Sequence, residues 1–472
     1  MSNTPDASLP QAYLDARAKD EAFWQNQEKR VQGSLSQPCC TLSGISSGMI
    51  TMEGDFAVIV HGEHECAACF RHIGANSHNF FCTGLGEKEF VTGETRAPLE
   101  ACLRLVAEEV APEAIFILGA CPVEVIGDRF ETVVEDVQKD FPEIPMVPLH
   151  TSGLKVGSQA QMLDWMWSTL AGLPPIAPET TRAWQRGEMS PEAIRALGGE
   201  PTAESQLDPA RAFSLIGMPR QTSNPSVAPE YIRVIRDVGL ELISVLPYNA
   251  RFRDWRALSF GKACFVADRS LYPRTVNVME DRGMLVQDVP LPIGVRQTTE
   301  FYRVLGRAFG CEEAIMERIE PERAAAQALI DAFAARHDGL HVALGLRMLN
   351  NYEPDQIAYQ GLGDYDAFAE LGFNLHLMVQ GEGERADRFK QLYESRGITH
   401  PFEMFPEPWS LSEHLTGRGF DVAYLADHCK AEARKAGVPM IVSRGFEPFF
   451  GGVAANLDYL ERNLRQVLRP GN

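Results

Sequence analysis

At 472 residues the chain is too long for one compact core, and at about 150 residues per domain its length corresponds to about three domains. A composition of 45% hydrophobic and 23% charged residues excludes the disordered, fibrous and collagen-like classes. The formal net charge of -20 would repel a phosphate backbone, which argues against nucleic acid as a partner and favours a basic protein surface.

No apolar run approaches the roughly 18 to 20 residues needed to cross a bilayer, and the first residues, MSNTPDASLPQAYLDARAKDE, are polar. The expectation is a cytoplasmic protein with no membrane partner. Ten cysteines in a long cytoplasmic chain do not read as a disulfide framework, because thiols there stay reduced and a large core needs no staples. Metal binding, catalysis or plain burial must account for them.

From about residue 55, short apolar runs ending in Gly, Pro or Asp alternate with longer amphipathic stretches. The runs are FAVIVHG (56–62), AIFILGAC (114–121), AFSLIG (212–217), ELISVLP, KACFVAD, HVALGL, NLHLMV, DVAYLAD and PMIVSRG. Bounded runs of this length followed by helix-like segments predict buried parallel strands with crossover helices. The Pro-, Gly- and acid-rich segment from Leu173 to Asp208 reads as a linker, and a second break is placed near Arg318 to Arg323. The predicted fold is α/β, with three Rossmann-like doubly wound domains of parallel strands at 1–172, 173–318 and 319–472.

The cysteines sit in unlike settings. Cys40 leads into the small-residue stretch TLSGISSGMI, Cys66 follows a buried strand in VHGEHEC, and Cys121 ends another strand in LGACPVEVIGD. The carboxyl ends of strands form the ligand-binding edge of a doubly wound sheet, so the last two thiols are delivered to the same kind of place. Pro122 and the stretch VEVIGDRFETVVEDV predict a helix beginning at Cys121, where the helix dipole favours thiolate, the form that binds iron. Strand-terminal cysteines are often merely buried small hydrophobes, but three in such contexts point to a shared role. Their spacing is not that of paired CxxC motifs, which disfavours a zinc ribbon and favours a cluster assembled from distant loops.

The order Cys40, VHGEHEC ending in Cys66, GEKEFVTGE (86–94), GACPVEVIGDR around Cys121 and PLHTSGLKVGSQ resembles the first domain of the nitrogenase component 1 family. Further on, PLPIGVRQTTEFYRVLG (290–306) resembles that family's middle-domain strand-turn-helix and AGVPMIVSRGF its final strand. The resemblance implies that Cys40, Cys66 and Cys121 ligate an interfacial iron-sulfur cluster, of the 8Fe-7S P-cluster type or alternatively 4Fe-4S. It implies a cluster shared with a homologous second subunit in an α/β-type heterodimer, assembled as a heterotetramer, and leaves room for a second nitrogenase-type iron-sulfur cofactor. It also implies a separate ATP-hydrolysing iron protein homodimer. This chain has no GxxxxGK[ST] loop of its own, and GLGDY at Gly361 is too weak to count as a dinucleotide fingerprint.

The departures narrow the reading. Where the dinitrogenase α subunit holds its catalytic cofactor by a Cys and a His, this chain aligns Ala267, with Cys264 three residues earlier, and Ser443–Arg444. CAACFR, EVIGDR and HTSGLKVGSQ read closer to β patterns, while the Cys40-to-Cys66 spacing and GEKEFVTGE read closer to α, so both subunit types stay open. His61 and His64 are candidate hydrogen-bond donors to cluster sulfur, against simple loop solvation. Cys69, Cys82 and Cys264 are candidate extra ligands, against structural burial; Cys102 reads as core, and Cys311 and Cys429 carry no assignable role. The expected function is a subunit of a nitrogenase-like reductase acting on a small molecule, with carbon-sulfur cleavage of methylthio-alkanes as the specific reading. The alternatives are a tetrapyrrole reductase subunit, a dinitrogenase β-like subunit and a non-catalytic cofactor-assembly scaffold.

Overall fold

The computed structural model describes residues 56–72, 79–152, 164–169, 178–190, 208–217, 227–246, 261–267, 272–346, 364–380 and 397–468 with few gaps, and isolated positions elsewhere; Cys40 lies outside them. The chain forms two compact units, the first of residues 1–50 and 55–166 and the second of residues 51–54 and 167–472.

In the first unit the long apolar runs become strands buried along their whole length, β1 (Phe56–His61) and β3 (Ala114–Gly119). With β2 (Phe80–Cys82) and β4 (Met146–His150) they make a parallel sheet in the order β2-β1-β3-β4. Between the strands run α1 (His64–His72), α2 (Glu87–Thr92), α3 (Arg96–Leu105), α4 (Cys121–Val125) and α5 (Phe130–Gln138). Leu99 and Leu103 of α3 and Phe130, Val133, Val134 and Val137 of α5 cover one face of the sheet through Ala57, Ile59, Ile115 and Ile117. Burying a run of such side chains is worth about 1.5–3 kcal/mol each, which is why both central strands are continuously apolar.

The second unit holds two further sheets. One has the order β6-β5-β7-β8, from β5 (Ala212–Ile216), β6 (Glu241–Leu246), β7 (Ala263–Val266) and β8 (Leu285–Asp288). The other has the order β11-β10-β9-β12-β13, from β9 (His341–Gly345), β10 (Asn374–Gln380), β11 (Phe402–Phe405), β12 (Val422–Leu425) and β13 (Met440–Val442). Among the described residues every strand pairing in both is parallel. In every sheet the first strand lies inside, so the chain winds outward to one side and then returns to build the other. This is the doubly wound α/β architecture, repeated three times.

Two local expectations change. Residues 318–323 are not a break: one helix runs Glu312–His337 with Pro321 inside it, held by Arg318 to Asp237 at 2.6 Å and to Glu322 at 2.9 Å. The stretch after Cys121 is two helices, because Gly127 adopts φ 71° and turns the chain between α4 and α5.

At the amino edge of β10, His376 lies 3.8 Å from Glu403, which also holds His414 at 2.7 Å and Arg418. Its ring faces those of His341 and Phe420. Burial holds His376 below its ordinary value of 6.5, outweighing the nearby Glu403, with Arg418 and His341 acting in the same direction as burial. The folded state therefore binds this proton less readily than the unfolded chain, and stability falls as pH drops below about 6.5 and through the folded value. The melting temperature is expected to decline from pH 7 to pH 5, and less steeply in His376→Gln; identical slopes would refute the assignment.

Candidate functional site

The carboxyl edge of the first sheet is built at its switch point, the place where β1 and β3 lie side by side but send their connections in opposite directions. Their last residues pair in register, His61 against Gly119. Cys66 is the third residue of α1, which follows β1, and Cys121 is the first residue of α4, which follows β3. Both thiols are half-exposed.

The two turns abut because Gly62 has no side chain. A Cβ built there would stand 2.5 Å from the Cβ of Ala120, the residue before Cys121. The Ala120 amide donates to the His61 carbonyl at 3.0 Å, closing the seam.

His61 itself is fully buried, which requires its ring to be hydrogen-bonded. Nδ1 lies 3.1 Å from the Thr83 hydroxyl and Nε2 lies 3.1 Å from Asp128. Thr83 in turn accepts the Gly62 amide at 3.1 Å. The Thr83 hydroxyl, which also lies 3.4 Å from the Gly62 carbonyl, and the Asp128 carboxylate thus engage the two ring nitrogens. Burial alone would raise the Asp128 carboxyl, but hydrogen bonds from His61 and Thr95 hold it below the usual carboxylate range. One turn after Cys121, the nearly buried Glu124 carboxylate meets His150 at the end of β4, and Glu131 of α5 meets the other ring nitrogen.

The remaining sequence candidates fall elsewhere. The ring of His64, exposed at the start of α1, packs over Gly84, where a Cβ would come within 2.7 Å of Nε2. Cys69 lies on the same helix as Cys66. Cys82 ends β2 with its thiol directed at the carbonyls of Gly62 (3.6 Å) and Glu63 (3.5 Å), while it accepts the Gly84 amide at 3.4 Å. Burial pushes that thiol up, so it is held protonated as a hydrogen-bonding staple under the β1 turn. Cys264 is fully buried within β7 of the second unit and is pushed by burial to about 12; Cys429 is likewise pushed to about 12 and Cys102 to about 11. Cys264 and Cys429 are buried and Cys102 is partly buried, while Cys66 and Cys121 stand at strand ends.

Residues 40–444 match the sequence model of the nitrogenase component 1 type oxidoreductases. The chain belongs to that family. Light-independent protochlorophyllide reductase subunit N of Rhodopseudomonas palustris is 24% identical over 333 residues, 67% of each chain. The nitrogenase molybdenum-iron protein alpha chain of Methanosarcina barkeri is 28% identical over 144 residues, covering 28% of this chain and 27% of that one. The cofactor biosynthesis protein NifE of Methanococcus maripaludis is 29% identical over 144 residues, 29% of each chain. In fold, the chain is similar to the solved structure described as nitrogenase Cp1 at pH 5, with TM-score 0.70 at 17% identity over 93% of this chain and 92% of that one. The chain is thus an oxidoreductase subunit of nitrogenase-like type.

Iron-sulfur clusters need thiolates, and the donor chemistry of this edge fits one in part. Two accessible thiols stand on adjacent strand ends, while among the described residues no three His, Cys, Asp or Glu side chains gather into a metal-holding group. Ala267 directly follows β7, and Arg444 is committed to structure. Its guanidinium lies 4.0 Å over the Tyr459 ring and bonds the Ala455 carbonyl, and its backbone exchanges two hydrogen bonds with the Tyr424 hydroxyl. Among the described residues no helix is long and apolar enough to cross a membrane.

Thr83, Asp128 and Gly62 were not singled out in the sequence, although Asp128 lies inside the quoted EVIGDR motif. Gly62→Ala is expected to destabilise the protein by about 1–3 kcal/mol, because the added methyl must force the two turns apart. Chemical denaturation of the full chain measures this, and unchanged stability would show that the seam opens without cost.

Proposed function

We propose that this chain is one subunit of the catalytic component of a nitrogenase-like reductase. Low-potential electrons enter from an ATP-dependent iron protein and pass to a small substrate through an iron-sulfur cluster at the interface with a homologous subunit. Cys66 and Cys121 are two of its ligands and Cys40 is the third. The observation that carries the reading is the placement of Cys66 and Cys121 after the two strands that flank the switch point of the first sheet, in a chain of this family. A cluster bound there is a one-electron carrier, and two or three thiolates from one chain leave the rest of its ligation to a partner. Val91 and Val125, strongly exposed on α2 and α4, add apolar surface of the kind a partner covers.

The specific substrate we favour is a methylthio-alkane, reduced with cleavage of its carbon-sulfur bond. It is supported by the interfacial cysteines being kept while Ala267, Ser443 and Arg444 stand where the dinitrogenase α subunit has its cofactor ligands. A second reading, a tetrapyrrole reductase subunit, is favoured by the 67% coverage against protochlorophyllide reductase subunit N. Iron and molybdenum analysis with low-temperature EPR on the anaerobic complex separates them: a P-cluster-type signature supports the first reading, and a lone 4Fe-4S signature the second.

Cys40→Ala, Cys66→Ala and Cys121→Ala should each lower bound iron and abolish reductant-dependent turnover, since no neighbouring group replaces the lost thiolate. Full iron occupancy in any two would sink the ligand assignment. Turnover should require the iron protein and ATP, and should fall as salt rises from about 0.05 to about 0.5 M while the clusters stay bound, because a charged docking face is screened. Undiminished turnover with dithionite alone would point to a self-contained reductase.

A further inference from the structure

We propose that His61 is the positioning residue of this edge, fixing the orientation of the helix that carries Cys121 relative to the turn that carries Cys66. The inference rests on the reading of those two cysteines as cluster ligands.

The helix that carries Cys121, α4, is short. Five residues make little more than one helical turn, and a helix so short has almost no rigidity of its own. Its direction is set by what holds its ends. The residue before it, Ala120, donates its amide to the main-chain carbonyl of His61 at 3.0 Å. Just beyond its far end, Asp128 accepts from the His61 ring at 3.1 Å. One residue therefore grips both ends of the segment, the start through its backbone and the finish through its side chain.

The same ring controls the other side of the seam. Nδ1 is hydrogen-bonded to the Thr83 hydroxyl, and Thr83 receives the amide of Gly62, four residues before Cys66. The turns after β1, after β2 and after α4 are thus joined in one line of hydrogen bonds, Gly62 to Thr83 to His61 to Asp128. The Asp128 end is completed by Thr95, just ahead of α3. The members come from four separate segments, so no local backbone adjustment substitutes for the imidazole. Both ring nitrogens are committed in this line, so His61 acts on the thiols through the chain and not by donating to a cluster sulfur. A multidentate cluster gains its slow release from thiolates held at fixed separation, and loosening one support lets a ligand leave and solvent enter.

The test uses the anaerobically purified complex with its clusters loaded, at a temperature where circular dichroism shows every variant folded. His61→Leu should release iron to a chelator about tenfold faster than wild type and broaden the EPR lines. His61→Gln, whose carboxamide can bond both Thr83 and Asp128, should bring the release rate back to within about threefold of wild type. If His61→Leu does not fold, Thr83→Val breaks the same line with almost no change in shape and should accelerate release in the same direction. Wild-type release and line widths in the Leu or Val variant, or a Gln variant as fast as Leu, would overturn the positioning role alone. A wild-type complex that carries no iron-sulfur cluster would instead overturn the ligand reading, and the inference with it.

Discussion

The candidate site depends first on how closely the turn after β1 lies against the end of β3. Parallel strands in one sheet sit about 4.8 Å apart, and at a switch point their continuing chains diverge, leaving a crevice. Here the two chains stay close beyond the strand ends, because Gly62 presents only backbone to Ala120 and the Ala120 amide is drawn to the His61 carbonyl. That contact brings a thiol from each side to one edge. It also buries an imidazole, and a buried ring must find partners or cost a few kcal/mol. The partners it finds, Thr83 and Asp128, are what stiffen the loops around it. A steric constraint at one glycine is thus joined to a polar network that ties together the turns after β1, β2 and α4.

Environment sorts the cysteines more decisively than spacing does. Cys264 and Cys429 lie in cores where a thiolate would be stranded away from water, and burial drives their protonation accordingly. Cys82 is close in sequence to Cys66 and lies on the same edge, yet its sulfur is tied to the carbonyls of Gly62 and Glu63. Its single S–H proton can serve either carbonyl, so the turn that carries Cys66 also ties down Cys82. Glu124, buried against His150, is likewise withdrawn from solvent in the segment after Cys121.

Much of the architecture was legible because burial on both faces leaves a plain mark in the chain. FAVIVH, AIFILG, AFSLI and VAYL are almost entirely apolar and buried along their length, and each is a central strand of its sheet. The strands that escaped were β2, β8 and β11, with FFC, LVQD and FEMF. All three are edge strands, which pair on one side only and need no continuous apolar run. The break expected near residues 318–323 is absent for a different reason: Pro321 costs the helix one hydrogen bond, but the helix buries its own Ile315, Ile319, Ala326, Ile330 and Phe333 and keeps its course.

The sequence by itself determined the fold class, the family resemblance and the delivery of Cys66 and Cys121 to strand ends, because hydrophobic period and motif order are local properties. Only the tertiary structure decided that those two strands flank the switch point of one sheet, that His61 faces Thr83 and Asp128, and that Cys82 and Cys264 stand in settings that keep them protonated. Those facts depend on contacts between residues up to 67 positions apart. No local pattern in the chain encodes such a contact, since it exists only once burial has folded the strands side by side.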